Sequence, residues 1–278
     1  MARLEETPAR GPQAAEAGAP VLVVEDLVAA YDDTTILDGV SLRAGAGEIL
    51  VVLGLSGSGK STLLRCIVAL LPPRRGRVLI ADRDVNAATG AARDAILREV
   101  GMAFQSSALL NSMTVEENVA LPIVEHRRVD LPTALMRARI LLARVGLANA
   151  AARLPSELSG GMRKRAGIAR ALALEPRLLL FDEPSAGLDP ITARELDDLI
   201  LSLRARGDLA IVVVTHELGS INTIADRALM LFDGRVIAQG TLDEVRAVPD
   251  ARVQAFFRRE PLPKPAGRSL AEELAWPR

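Results

Sequence analysis

The chain has 278 residues, of which 49% are apolar and 25% charged, with a formal net charge of −1. That length supports one large or two small domains with a real core, and the near-zero charge gives no footprint for general binding of nucleic acid or acidic lipid. A single cysteine, Cys66, excludes an internal disulfide, and two histidines, His126 and His216, are too few for a histidine metal cluster.

No stretch approaches the roughly 20 uncharged apolar residues of a membrane-spanning helix. The opening Met-Ala-Arg-Leu-Glu-Glu lacks an apolar signal core. The expectation is a cytosolic protein, or one held peripherally through a partner. Residues 1–20 are rich in Ala, Glu, Gly and Pro. They offer little apolar surface to offset ordering entropy and read as disordered, a regulatory arm being the other reading.

Residues 21–31 read as a strand ending at Tyr31, the only tyrosine. Tyr31 is either a strand-end aromatic or a flat platform on which an adenine ring stacks. A second strand, 36–42, leads through Ala44-Gly45-Ala46-Gly47 to the apolar run 48–53. An early antiparallel sheet beside a later parallel one is expected. Next comes Gly54-Leu55-Ser56-Gly57-Ser58-Gly59-Lys60-Ser61-Thr62, and residues 63–68 read as helix. Strand, glycine-rich loop and helix form the context of a phosphate-binding P-loop. Its backbone N–H groups wrap a phosphate, and the new helix points its positive end there. Lys60 is placed to reach the β- and γ-phosphates, and the Ser61 hydroxyl to sit on Mg²⁺. The competing reading, a glycine-rich turn with a chance Gly-Lys-Ser, is weakened by this context. ATP or GTP binding follows.

Residues 71–76 read as a turn, 77–81 as a short strand and 91–98 as a helix. The apolar strand 100–104 ends at Gln105. Taken alone Gln105 is a loop residue, but a strand's carboxyl end is where α/β sheets bind ligands. Residues 106–176 carry no clear strand and read as a helical insertion. Thr114 with Glu116 and Glu117 opens one helix, which Pro122 interrupts or ends. Residues 132–145 form another, with Leu135, Ala138, Leu142 and Val145 on one face. Leu158-Ser159-Gly160-Gly161 precedes a helix at 162–174. It is either a plain capped start or a second phosphate-binding terminus. Arg163, Lys164 and Arg165 are a solvated face or a reinforcement of such a site.

The buried strand 178–181 ends in Asp182-Glu183-Pro184. Two acids at a buried strand's end are seldom mere surface. Downstream of a P-loop, Asp182 supports Mg²⁺ and Glu183 orients and activates the attacking water. After the loop 185–190 and a helix at 191–203, the strand 209–214 ends at Thr215-His216-Glu217. His216 is a helix-start histidine or a γ-phosphate contact at the same sheet edge. Asp233-Gly234 marks a hairpin between 228–232 and 235–238. Helices follow at 242–247 and 252–257. The proline-rich tail, 258–278, reads as disordered, with a short docking helix around Ser269-Leu270-Ala271-Glu272 as the alternative.

In this order the motifs resemble those of the ATP-binding cassette (ABC) ATPases over roughly residues 21–257. The resemblance implies an α/β fold: a RecA-like P-loop NTPase core, an antiparallel β subdomain and an inserted helical subdomain at about 106–176. It implies ATP and Mg²⁺ as cofactors. It makes Tyr31 the adenine-stacking aromatic, Gly54 to Thr62 the Walker A loop, and Gln105 the Q-loop glutamine that serves catalysis and the metal. Ser159, Gly160 and Gly161 become the signature, Asp182 and Glu183 the end of Walker B, residues 185–189 the D-loop, and His216 the switch histidine. Two such domains sandwich two ATP molecules, the P-loop of one copy against the signature of the other.

A narrower resemblance is to the cassettes of Mla/Mce lipid-transport systems. Met162-Arg163-Lys164-Arg165 follows the signature glycines where most importers have glutamine. Phe104-Gln105-Ser106-Ser107-Ala108-Leu109 and Val253-Gln254-Ala255-Phe256 are similar to that group, although Ser107 stands where it often has glycine. The resemblance implies a homodimeric ATPase, peripheral on the cytoplasmic face of the inner membrane. It would drive phospholipid transport through a separate membrane permease with an Mce-domain lipid-binding protein and accessory subunits, and without nucleic acid. The alternatives are an importer ATPase for a polar solute such as an amino acid, or a non-transport ABC ATPase.

Overall fold

The computed structural model describes residues 20–127 and 129–261. The chain opens with an antiparallel hairpin, β1 (Pro20–Tyr31) and β2 (Thr34–Gly45), then enters β3 (Ile49–Leu53) and α1 (Lys60–Ile67). β4 (Arg75–Ile80) and the short β5 (Arg83–Asp84) return to the hairpin, giving an antiparallel sheet in the order β2-β1-β4-β5. α2 (Gly90–Leu97) leads to β6 (Val100–Ala103). Three helices follow, α3 (Val115–Arg127), α4 (Leu131–Arg144) and α5 (Gly160–Ala171). The remainder alternates: β7 (Leu178–Asp182), α6 (Pro190–Arg204), β8 (Ala210–Thr215), α7 (Leu218–Ile224), β9 (Arg227–Phe232), β10 (Arg235–Thr241), α8 (Leu242–Ala247) and α9 (Ala251–Arg258). The second sheet runs β10-β9-β3-β8-β7-β6, parallel except for the β9–β10 hairpin.

The central strands are unbroken apolar runs because both their faces are covered. In β3, Ile49, Val51 and Leu53 enter one core while Leu50 and Val52 enter the other. β7 divides likewise, Leu179 and Phe181 against Leu178 and Leu180, as does β8, Ile211 and Val213 against Val212 and Val214. One core lies under the inserted and C-terminal helices, the other between the two sheets around α1. At about 1.5–3 kcal/mol per fully buried Val, Leu or Phe side chain, these strands anchor the molecule and make their ends rigid. Among the described residues no helix is long and apolar enough to cross a membrane.

Several local expectations change. The helix through Pro122 does not end there: α3 continues to Arg127, because Val115, Val119, Ala120 and Ile123 bury one face and packing outweighs the lost hydrogen bond. Pro20, expected within a disordered arm over residues 1–20, is instead the first residue of β1. α1 starts at Lys60 and α5 at Gly160, ahead of the expected 63 and 162. β4 starts at Arg75, inside the expected turn. β5 had no sequence signal, and α7 only the reading of His216 as a helix-start histidine. The expected disorder of residues 1–19 and of the tail from 262, with its alternative docking helix, lies outside the described residues.

Candidate nucleotide site

The strand order β3-β8-β7-β6 lines up four carboxyl ends. Leu53 pairs with Thr215, Val214 with Asp182, and Phe181 with Ala103. The P-loop, His216, Asp182-Glu183 and Gln105 therefore emerge side by side from one edge, although as many as 162 positions separate Gly54 from His216. Gly57, Lys60, Ser61, Gln105, Glu183 and His216 line a cleft of about 430 Å³, and Asp182 stands behind Ser61.

The loop's shape follows from its glycines. Gly59 sits at φ +103°, and a Cβ there would stand 2.6 Å from Leu37 Cδ2. Gly57 sits at φ +82° with open space where a Cβ would be, which leaves the cradle wide. Gly59 is also the N-cap of α1 and brings no side chain to the first-turn N–H groups. Those donors and the helix dipole remain free for an anion. Lys60, 7% exposed, donates to the carbonyls of Gly54 and Leu55, both at 2.9 Å. Its Nζ lies 3.9 Å from Glu183 Oε1. Burial pulls the Lys60 ammonium below its ordinary pKa, against the opposing pull of Glu183 and Asp182.

Asp182 receives the Ser61 hydroxyl at 3.4 Å. Burial pushes its carboxyl above the usual range, and neighbouring Glu183 adds to this, opposed by Ser61, Lys60 and Arg65. Glu183 takes a left-handed backbone, φ +47°, with its N–H bonded to Val214 O at 2.9 Å. A non-glycine residue in that conformation stores strain of order 1–3 kcal/mol, a feature that clusters at functional sites. Its Oε1 lies 2.9 Å from His216 Nδ1. With Glu183 as a carboxylate, this contact places a proton on Nδ1. Two buried oxygens at this edge, Ser58 Oγ and Glu183 Oε2, have no partner. Free helix donors, a buried ammonium, an open glycine cradle and unpaired oxygens fit a phosphate chain. The Ser61–Asp182 oxygen pair fits Mg²⁺.

Tyr31 stands at the end of β1 with its hydroxyl accepting from Arg65 Nη1 at 2.7 Å, which ties the exposed ring to α1. Arg65 had no motif to flag it, nor had Ile36, which also lines the cleft. Ser159 caps α5 by accepting from Met162 N at 3.2 Å, and Gly160 is exposed beside it. Ser159, Gly160 and Gly161 do not line the cleft of their own chain. The basic run beyond them does not line it either. Arg163 donates to Leu158 O, Lys164 to the carbonyls of Gln105 and Glu183, and Arg165 to Val145 O and Glu195. These are internal ties rather than a phosphate site or a solvated face.

The sequence profile described as "ABC transporter" matches residues 37–186. The methionine import ATP-binding protein MetN of Caulobacter vibrioides is 43% identical over 226 residues, covering 81% of this chain and 67% of that protein. A second methionine import protein, MetN 2 of Rhodopseudomonas palustris, is matched over only 63% of its own length. The intermembrane phospholipid transport ATP-binding protein MlaF of Escherichia coli is 40% identical over 222 residues, covering 80% of this chain and 82% of that protein. Among solved structures, the dimeric bacterial ABC transporter cassette MJ0796 is similar at a TM-score of 0.73 and 31% identity, covering 80% and 98%. A post-hydrolysis state of that cassette, bound to ADP and Pi, matches at 0.72.

Proposed function

This chain belongs to the ABC transporter family, whose ATP-binding subunits hydrolyse ATP with Mg²⁺, and on that premise we propose that it powers phospholipid movement through a separate membrane permease. The observation that carries the ATPase part is the convergence of Lys60, Ser61, Gln105, Asp182, Glu183 and His216 at one sheet edge. In this reading Tyr31 stacks the adenine. The loop from Gly54 to Thr62 wraps the phosphates with backbone N–H groups, and Lys60 draws charge from the β- and γ-phosphates. When bound, Mg²⁺ neutralises charge building on the phosphate oxygens; Ser61, Asp182 and Gln105 are the residues to hold it. Glu183 accepts the proton of the attacking water as the new O–P bond forms and the bond to the leaving ADP breaks. His216 Nδ1–H holds Glu183 Oε1 and so aims the carboxylate.

Ser159, Gly160 and Gly161 stand outside the cleft at the start of α5, the first two exposed and Gly161 buried behind them. We assign them to the cleft of a second copy, whose ATP they enclose, as the free N–H groups of a helix start suit. The dimeric state of the similar cassette MJ0796 supports this. The lipid reading is supported by Met162–Arg165 after the signature glycines and by similarity to MlaF of Escherichia coli and Haemophilus influenzae, the latter 39% identical over 242 residues. The permease, an Mce-domain lipid-binding protein and accessory subunits are the partners it implies, with the chain peripheral on the cytoplasmic face. The second reading is import of a polar solute such as an amino acid, favoured by the similarity to MetN.

Glu183→Gln tests the chemistry. ATP binding survives and turnover falls by roughly two orders of magnitude or more; full turnover discards Glu183 as the activating base. Affinity capture of the membrane partners tests the substrate class. An Mce-domain protein in the complex supports lipid transport, and an amino-acid-binding protein overturns it.

A further inference from the structure

Three residues of α5 face the loop that carries Gln105. Lys164, Gly167 and Arg170 recur every three positions, which keeps them on one side of the helix. Lys164 Nζ donates to Gln105 O at 2.6 Å and to Glu183 O at 3.2 Å. Arg170 donates to Ala108 O at 2.5 Å and to Ser107 O at 3.2 Å. Between them, Gly167 allows the loop close approach, since a Cβ there would stand 3.3 Å from Ser107 O. The loop held this way is strained, with Ser107 at φ +64° and Ala108 at φ +48°.

Glu183 is thereby gripped on both sides of its left-handed residue. Its N–H goes to Val214 O in β8, and its carbonyl receives Lys164 from α5. The same ammonium holds Gln105, and the same helix starts at Gly160, capped by Ser159. We propose that Lys164 is a positioning residue for hydrolysis. Its ammonium joins the Gln105 backbone, the Glu183 backbone and the helix headed by Ser159 into one unit, so that displacement of that helix re-aims the Glu183 carboxylate. This rests on the reading of Glu183 as the activating base. An ammonium is suited because it offers three donors and no acceptor to two carbonyls at once. Lys164 is not itself part of the cleft lining and meets Gln105 and Glu183 only at their backbone carbonyls, so its effect falls on geometry rather than on nucleotide binding.

The test uses the full chain carrying Lys164→Met, Lys164→Gln or Glu183→Gln, with steady-state ATPase, MgATP affinity and amide hydrogen exchange. Lys164→Met, which donates nothing, is expected to lower kcat about tenfold while the MgATP Kd stays within about threefold. Exchange should accelerate in residues 105–108 and 183–186 and not elsewhere. Lys164→Gln supplies two amide hydrogens without charge and should recover most of both effects. Turnover of Lys164→Met within about twofold of the parent overturns the proposal. So does unchanged exchange in the two segments, a rise in exchange over the whole chain, or an affinity loss that matches the fall in kcat. Full turnover of Glu183→Gln discards the base assignment instead, and leaves the exchange result to judge Lys164 independently.

Discussion

Lys60 is a buried ammonium whose hydrogen bonds go to the carbonyls of its own loop, with Glu183 Oε1 3.9 Å away. Desolvation makes it costly, and the two carbonyls compensate only in part, so the charge is poised for a stronger anionic partner. Lys60→Met should lower MgATP affinity by about tenfold or more, as expected for losing a charge-assisted contact of roughly 1.5–3 kcal/mol. The melting temperature of the nucleotide-free protein should shift by only a few degrees. Titration calorimetry and a thermal melt check both. Tyr31→Ala should weaken ATP about fivefold or more, since stacking on an aromatic ring is worth roughly 1–3 kcal/mol per base. Tyr31→Phe should bind nearly as the parent does, because the ring survives and only the Arg65 bond is lost. At this scale the motif residues were legible because their chemistry is unusual: a lysine after glycines, paired acids after an apolar run. Lys164 and Arg170 were not, because a basic residue on a helix looks alike in sequence whether it meets water or a backbone carbonyl.

β3, β7 and β8 were legible as strands because burial on both faces leaves no polar position in the run. α7, Leu-Gly-Ser-Ile-Asn-Thr-Ile, was not: glycine and β-branched residues disfavour helix, and Ile221 and Ile224 entering the core, with Leu218 packed against it, sustain it. Pro122 misled for the same reason, tertiary packing overriding local preference. Pro122→Ala restores a backbone donor in mid-helix and should raise the unfolding free energy by about 1 kcal/mol in denaturant titration. In α5, a Cβ on Gly161 would stand 2.5 Å from Thr192 Cγ2 of α6, a stiff β-branched neighbour. Gly161→Ala should therefore cost about 1–3 kcal/mol. Asp250 caps α9 through Arg252 N at 2.8 Å, and its bonds with Arg252 hold its carboxyl down to about 2. Because this lies below the ordinary 3.8, the cap's contribution is complete above about pH 4 and falls away as the pH drops to about 2. Asp250→Ala should cost about 1 kcal/mol at neutral pH, and the difference from the parent should shrink in melts as the pH falls from about 4 through about 2.

Across the whole molecule, motif order along the chain is not strand order in the sheet. The motifs run Gly54, Gln105, Asp182, His216, while the edge runs P-loop, His216, Asp182, Gln105. That rearrangement sets His216 beside Glu183 and was invisible in residue spacing. Spacing was equally silent on why Ser159, Gly160 and Gly161 stay apart from the cleft they were expected to serve. The fold answers by heading α5 with them, Ser159 and Gly160 at the surface, while the P-loop opens at the sheet edge. In the proposed reading, one chain carries two half-sites which meet only between copies. Sedimentation velocity of the Glu183→Gln chain, with and without MgATP, tests this most directly. That chain should sediment as a monomer without nucleotide and as a dimer with it, the dimer lost again when Ser159→Arg is added. A Glu183→Gln chain that binds MgATP and sediments as a monomer at every concentration would contradict that reading.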